Sequence, residues 1–179
     1  MNAQLSTQDI QERLAKIKLL ALDFDGIFTD GSVYVDENEK ETVRCDRRDG
    51  LGFEMLRHAQ IPACIISREP NPVVAARAKK LQLHYWQSVE KGNGKLDILT
   101  THCQELGITV LEVAYMGDDI NDLAILHAVG LAVTVPDGHP LVIQAAHHVT
   151  TKHGGRGAIR EIIEALLIAQ GFDLTKLVL

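Results

Sequence analysis

With 179 residues and 46% hydrophobic content, the chain suits one domain with a sizeable core, which an aromatic share of only 4% makes mostly aliphatic. A net charge of -6 without any Lys/Arg block excludes an electrostatic footprint for nucleic acid, so a phosphate-bearing small molecule would need local cations to hold it. Cys45, Cys64 and Cys103 are odd in number and widely spaced, which argues against a disulfide framework or structural zinc and for a cytoplasmic setting; no signal-like or membrane-length apolar run is present, so no membrane partner is expected.

In chain order, Ser6 caps a predicted helix, TQDIQERLAKI, with Ile10, Leu14 and Ile17 at helical spacing, and IKLLALDF follows as a buried strand. SVYVDENEKETVRC reads as a β-hairpin projecting from the core, over about residues 32–45. GLGFEMLRHA is a short helix, IPACIIS a buried strand, NPVVAARAKKLQ a helix entered through Pro72, and LHYWQ a further strand. GKLDILTTHCQELG is a helix closed by Gly107, VLEVAYMGDD a strand, INDLAILHAVG a helix, LAVTV and HHVTT strands, and AIREIIEALLIAQG the last helix. Strands alternating with helices predict an α/β fold, a doubly wound, Rossmann-like parallel sheet with helices on both faces. No repeat, linker or interval long enough for a separate cap domain is present, so residues 1–179 read as one domain.

The stretch LLALDFDGIFTDG, residues 19–31, then raises a physical problem. Strand side chains alternate, so Asp23 and Asp25 project the same way from the strand's end, where like charges repel unless a cation or substrate joins them. In doubly wound folds ligands bind outside the carboxyl ends of the strands. Asp23 and Asp25 end the first strand, Ser67 ends ACIIS, Gly117, Asp118 and Asp119 end VAYM, and Lys95 opens a helix between the latter two. Together they supply a nucleophile, a proton donor, a hydroxyl, a fixed cation and a carboxylate cluster for a hard metal.

Those residues carry a resemblance. DFDGIFTDG resembles the first motif of the haloacid dehalogenase superfamily, and Ser67, Lys95 and GDDIND, residues 117–122, follow in the order of its later motifs. RRDGLG, residues 47–52, and GGRGAIRE, residues 154–161, are similar to its cap-less Kdo-8-phosphate phosphatase branch. SREPNPVVAARAKKL, residues 67–81, also resembles the phosphatase-like module of acylneuraminate cytidylyltransferases and the nine-carbon sugar acid 9-phosphate phosphatases. Here the Kdo-8-phosphate pattern would have Thr-Gly-Arg in place of Ser67-Arg68-Glu69, a departure that bears on the substrate and not on the chemistry.

The resemblance implies a phosphatase in which Asp23 attacks phosphorus and Asp25 serves as acid and then base. It implies Mg²⁺ held by Asp23, the backbone carbonyl of Asp25 and Asp118, with Ser67 and Lys95 on the phosphoryl oxygens and Asp119 and Asp122 as outer partners. Glu69, Arg77 and Lys80 are candidates for reading a 2-keto-3-deoxy sugar acid phosphate, of eight or nine carbons. Members of that branch tetramerise, and the hairpin and a C-terminal segment from residue 152 onward are expected to close a neighbour's pocket.

Each assignment has a plainer rival. Ser67 could cap the following helix, Lys91 competes with Lys95, Arg77 and Lys80 could be a solvated helix face, and HGGRG could be a linker. His147 and His148 are taken as structural, because neighbours on a strand face opposite ways. A non-catalytic oligomerisation module is the alternative of a different class, and the intact Asp23, Asp25, Lys95 and Asp118 argue against it. A phosphorelay receiver ranks behind both, since Ser67 stands where its phosphorylated Asp would be.

Overall fold

The computed structural model describes residues 5–177, and the chain alternates strand and helix as its hydrophobic pattern requires. Helix α1 (Thr7–Leu14) starts at Ser6, whose hydroxyl accepts the Asp9 amide while the Asp9 carboxylate accepts the Ser6 amide, a reciprocal cap. Strand β1 (Leu19–Leu22) follows, then the hairpin of β2 (Thr29–Val35) and β3 (Glu41–Cys45), helix α2 (Arg48–His58), β4 (Ala63–Ile66), α3 (Val73–Leu81) and β5 (His84–Trp86). The second half comprises α4 (Gly94–Leu106), β6 (Val113–Met116), α5 (Leu123–Ala128), β7 (Leu131–Thr134), α6 (Pro140–Ala145), β8 (His148–Val149) and α7 (Ala158–Ala169).

The main sheet has the order β5-β4-β1-β6-β7-β8, and every pairing in it is parallel. Period-two alternation divides the core. Leu20, Leu22, Ala114 and Met116 face α1, α2, α3 and α7, whereas Leu19, Ala21, Val113 and Tyr115 face α4, α5 and α6. Burial on both faces is why the strands read as continuous apolar runs and not as alternating ones. From β1 the chain fills one side of the sheet with β4 and β5, then crosses to β6 on the other. The resulting switch point lies between β1 and β6, and it is there that a doubly wound sheet opens a crevice.

Several boundaries differ from expectation for local reasons. Strand β6 begins at Val113 because Val110–Glu112 form one 3-10 turn, capped reciprocally by Thr109 and Glu112. The hairpin begins at Thr29, three residues early, with a register irregularity between Thr29 and Val33. Helix α6 was not expected; Pro140 opens it and His139 Nδ1 accepts the Leu141 amide. His147 is structural as anticipated, its Nδ1 accepting the Ala132 amide at 2.9 Å.

The segment 154–160 is not a free linker, because it packs on its own chain. Gly154, Gly155 and Gly157 are buried, and α7 then contributes Ile159, Ile162, Ile163, Leu166 and Leu167 to the core. Truncation after Lys152 would therefore remove core and not merely uncover a pocket.

Asp49 joins α2 to α7. It is 1% exposed; Oδ1 accepts the Arg160 amide at 3.3 Å, while Oδ2 has no hydrogen-bond partner among the described residues. Burial, helped by Asp46, pushes its pKa up to about 7 against the opposing pull of Arg77 and Arg48. The native state thus binds this proton more tightly than the unfolded chain, so Asp49 withdraws stability as pH rises from the ordinary carboxylate range to about 7. Asp49→Asn is expected to gain on the wild type over that interval by up to about 4 kcal/mol, read from denaturant midpoints across pH. A difference between the two proteins that does not change with pH would remove Asp49 from this role.

Candidate active site

The ends of β1, β4 and β6 and the start of α4 converge on a pocket of about 530 Å³ at the switch point. Asp23, Asp25, Ser67, Glu69, Asp118 and Asp119 line it, as the sequence predicts, with Lys95 beneath. Asp23 stands one residue past β1, its amide donating to the Met116 carbonyl across the β1–β6 seam and its Oδ1 accepting the Phe24 amide at 2.7 Å. Asp25 follows at the rim, half-buried. Gly26 next to it adopts φ +68°, and a Cβ there would lie 2.0 Å from Asp118 Oδ2. Only glycine lets the β1 loop approach the β6 carboxylate so closely.

Lys95 is the buried lysine, and Lys91 sits exposed at the mouth. Lys95 Nζ lies 2.6 Å from Asp23 Oδ2 and 2.6 Å from Asp122 Oδ1. Burial alone would lower the lysine pKa, but Asp23 and Asp122 outweigh it and hold the ammonium charged. Asp122 is fully engaged: Oδ1 also accepts the Tyr115 hydroxyl at 2.7 Å, and Oδ2 accepts the amides of Asp118 and Asp119 at 3.1 and 3.3 Å. It orients Lys95 and the Asp118 turn. Asp119 is exposed, with Oδ1 on the Ile120 amide.

Ser67 is 1% exposed and does not cap α3; its hydroxyl accepts the Glu69 amide at 3.0 Å, shaping the loop so that the oxygen stays at the pocket. Glu69 Oε1 accepts the Asn71 amide at 2.7 Å. Arg77 and Lys80 are not brought to this pocket. They line a neighbouring cavity of about 500 Å³ under the hairpin with Arg47 and Glu41, and Arg77 Nη2 donates to the Asp46 carbonyl at 2.7 Å.

Electrostatics single out the acids. Burial, then Glu69, raises Asp25 to about 6; burial, then Asp122 and Asp119, raises Asp118 to about 7. Asp23 is likewise pushed up, by burial first and Asp122 second, with Lys95 opposing. Carboxylates that destabilise one another in a partly buried pocket fit a site built around added positive charge. Asp23, Asp118 and Asp122 each offer a carboxylate oxygen within 4.8 Å of the others. Asp122 accepts from Lys95, Tyr115 and two backbone amides, whereas Asp23 meets only Lys95 and the Phe24 amide, so Asp23 and Asp118 keep more lone pairs available for a hard divalent cation.

Three residues at the site escaped the sequence reading, and a fourth, Lys91, entered it only as the rival of Lys95. Tyr115 looks like an ordinary core aromatic, and only its contact with Asp122 gives it a role. Arg68 and Lys91 add cations at the mouth, and Asn121 lines the pocket with a buried Oδ1 that lacks a hydrogen-bond partner among the described residues. Arg68, beside Ser67, and Asn121, inside GDDIND, were adjacent to residues already chosen.

Comparison with known proteins places this geometry. Residues 55–163 match the family model of haloacid dehalogenase-like hydrolases. The 3-deoxy-D-manno-octulosonate 8-phosphate phosphatase of Escherichia coli K12 is 37% identical over 164 residues, covering 91% of this chain and 86% of that protein. A crystal structure of the phosphatase of the same name from Yersinia pestis superposes with a TM-score of 0.85 at 36% identity, covering 90% of this chain and 86% of that one. The Moraxella catarrhalis phosphatase of that name, in complex with magnesium ion, phosphate ion and KDO, gives 0.87 at 35% identity, with 92% and 94% covered.

Proposed function

This chain belongs to the haloacid dehalogenase-like hydrolases, and from that premise we propose that it is a Mg²⁺-dependent phosphatase of 3-deoxy-D-manno-octulosonate 8-phosphate (Kdo 8-phosphate). The observation that carries the reading is the buried Asp23–Lys95–Asp122 contact beside Asp118, at the switch point of the sheet. Asp23 attacks phosphorus and forms an aspartyl-phosphate as the P–O bond to the sugar breaks. Asp25 gives its proton to the departing sugar oxygen, then removes one from the water that cleaves the aspartyl-phosphate, returning both acids to their starting state. A carboxyl near 6 can do both at neutral pH. Lys95 and Ser67 hold phosphoryl oxygens, Asp122 keeps Lys95 aimed, and Asp119 contributes from the rim. Mg²⁺, held by Asp23, Asp118 and the backbone carbonyl of Asp25, would neutralise charge on the phosphoryl group.

A nine-carbon neuraminate-type 9-phosphate is the second reading, favoured by Glu69 at the pocket, where it can accept hydroxyl or amide protons. Arg77 and Lys80 belong to substrate reading only if the sugar reaches the neighbouring cavity under the hairpin. A homotetramer would complete that path: Val33, Tyr34 and Val35 are 49%, 66% and 65% exposed on β2, an apolar strand suited to covering a neighbour's pocket. The cytoplasm, with free thiols and phosphorylated sugars, is the compartment we assign; no helix among the described residues is long and apolar enough to cross a membrane.

Phosphate release with Mg²⁺ or EDTA across Kdo 8-phosphate, neuraminate-type 9-phosphates and hexose phosphates tests the reading. Metal-dependent preference for Kdo 8-phosphate is expected. Preference for a nine-carbon acid selects the second reading, and no release from any substrate points to an assembly module. A monomer in sedimentation at working concentration would refute the tetramer.

A further inference from the structure

The motif GGRG, residues 154–157, has no part in the reaction just described, yet it lies against the catalytic loop of its own chain. A Cβ on Gly154 would fall 1.7 Å from the Gly26 carbonyl oxygen, and one on Gly155 would fall 2.5 Å from the Asp30 amide nitrogen. Both obstacles are backbone, so no side-chain rotation relieves them. The Gly155 amide donates to the Ile27 carbonyl at 3.0 Å. Gly26 is thus held between the Asp118 carboxylate on one side and the Gly154 backbone on the other.

The same loop also reaches the β6 side of the site. The Gly154 amide donates to Asp137 Oδ1 at 3.2 Å, and His153 Nδ1 lies 3.3 Å from that oxygen. Asp137 belongs to the turn before α6, in which the His139 amide donates to the Asp118 carbonyl at 2.7 Å. Arginines fasten the loop from behind: Arg48 Nη2 donates to the Arg156 carbonyl at 2.7 Å, and Arg44 Nη1 to the Gly155 carbonyl at 3.4 Å. One short segment therefore touches the Asp23–Asp25 loop directly, through backbone, and is linked to the Asp118 turn through Asp137 and the His139 amide.

We propose that residues 153–157 form a positioning brace that sets the separation between the Asp23–Asp25 loop and the Asp118 turn, with Gly154 and Asp137 as its contact points. The brace touches neither cation nor substrate; it governs how well Asp23 and Asp118 together hold Mg²⁺. This deepens the phosphatase reading and rests on it for the identity of the cation.

The test is a calorimetric Mg²⁺ titration of the full-length wild type, Gly154→Ala and Asp137→Ala well below their melting temperatures, alongside kcat and KM. Partners that orient metal ligands typically govern affinity by about 10–100-fold, and a loss in that range is expected for Gly154→Ala, with about tenfold for the milder Asp137→Ala. Turnover at fixed Mg²⁺ should fall while KM for the sugar phosphate stays within about twofold, because the brace does not contact the sugar. Asp137 is exposed, so its variant decides the matter if Gly154→Ala does not fold. Wild-type Mg²⁺ affinity in Asp137→Ala, or no Mg²⁺ binding by the wild type, overturns the proposal. Because the titration needs no turnover, a wild type that binds Mg²⁺ but releases no phosphate would sink the phosphatase reading and leave the brace to be judged on affinity alone.

Discussion

Replacing Asp25 by Asn is expected to lower kcat by about 10²–10⁴-fold, the usual worth of a positioned acid–base group, with little change in KM and a melting temperature at neutral pH no lower than that of the wild type. The substitution preserves shape and keeps a hydrogen-bonding group at the pocket rim, where Asp25 is half-buried and makes no contact on which the core depends. What it removes, in the mechanism we propose, is the carboxyl, raised to about 6 by burial and by Glu69, that donates a proton in one half of the reaction and accepts one in the other. Both halves need it, so neither the first transfer nor hydrolysis of the aspartyl-phosphate should survive at its normal rate. Steady-state phosphate release at saturating Mg²⁺ is the measurement. Turnover close to wild type would give the acid–base role to another group.

Lys95→Met should have the largest effect on stability, and that effect should depend on metal. The lysine side chain is 3% exposed and contacts both Asp23 and Asp122 at 2.6 Å. Removing one partner of a buried ionic cluster typically costs about 3–5 kcal/mol, because the remaining charges keep their desolvation penalty without the attraction that offset it. Here two carboxylates would be left facing each other. In EDTA the variant should unfold at markedly lower urea concentration than the wild type, and Mg²⁺ should recover part of the loss by returning positive charge beside Asp23. Equal loss with and without Mg²⁺ would show that the lysine and the cation do not share a field. Activity should fall in either case, since among the described residues the other cations lining the pocket, Arg68 and Lys91, sit at its mouth and not beside Asp23.

Much of this architecture was legible because parallel strands buried on both faces announce themselves as apolar runs, and their carboxyl ends are where ligands gather. Asp23, Ser67 and Asp118 could be placed by that rule alone. The brevity of α6, Pro140–Ala145, hid it, since fewer than two turns leave little periodicity to read. Tyr115 could not be told from the rest of the core, because its importance lies in one hydroxyl and in a turn that folds Asp122 back beneath it. Arg77 and Lys80 share a helix face, as their spacing says, but the spacing does not say which of two adjacent cavities that face lines. The contact GGRG makes with its own catalytic loop was illegible for a related reason. Glycines mark a loop, and only the fold reveals that they are small in order to let two backbones touch.

The pocket divides its residues by depth, and that division bears on how such a protein can change over generations. Asp23, Ser67, Lys95 and Asp122 are immobilised in the interior, so a substitution at any of them disturbs packing and charge together. Arg68, Glu69, Glu90 and Lys91 occupy half-buried or exposed loop positions around the opening and can be exchanged without repacking anything beneath. Inheritance can therefore preserve the hydrolytic machinery while the rim drifts, and a new sugar can be adopted by a handful of surface changes in an otherwise unaltered scaffold.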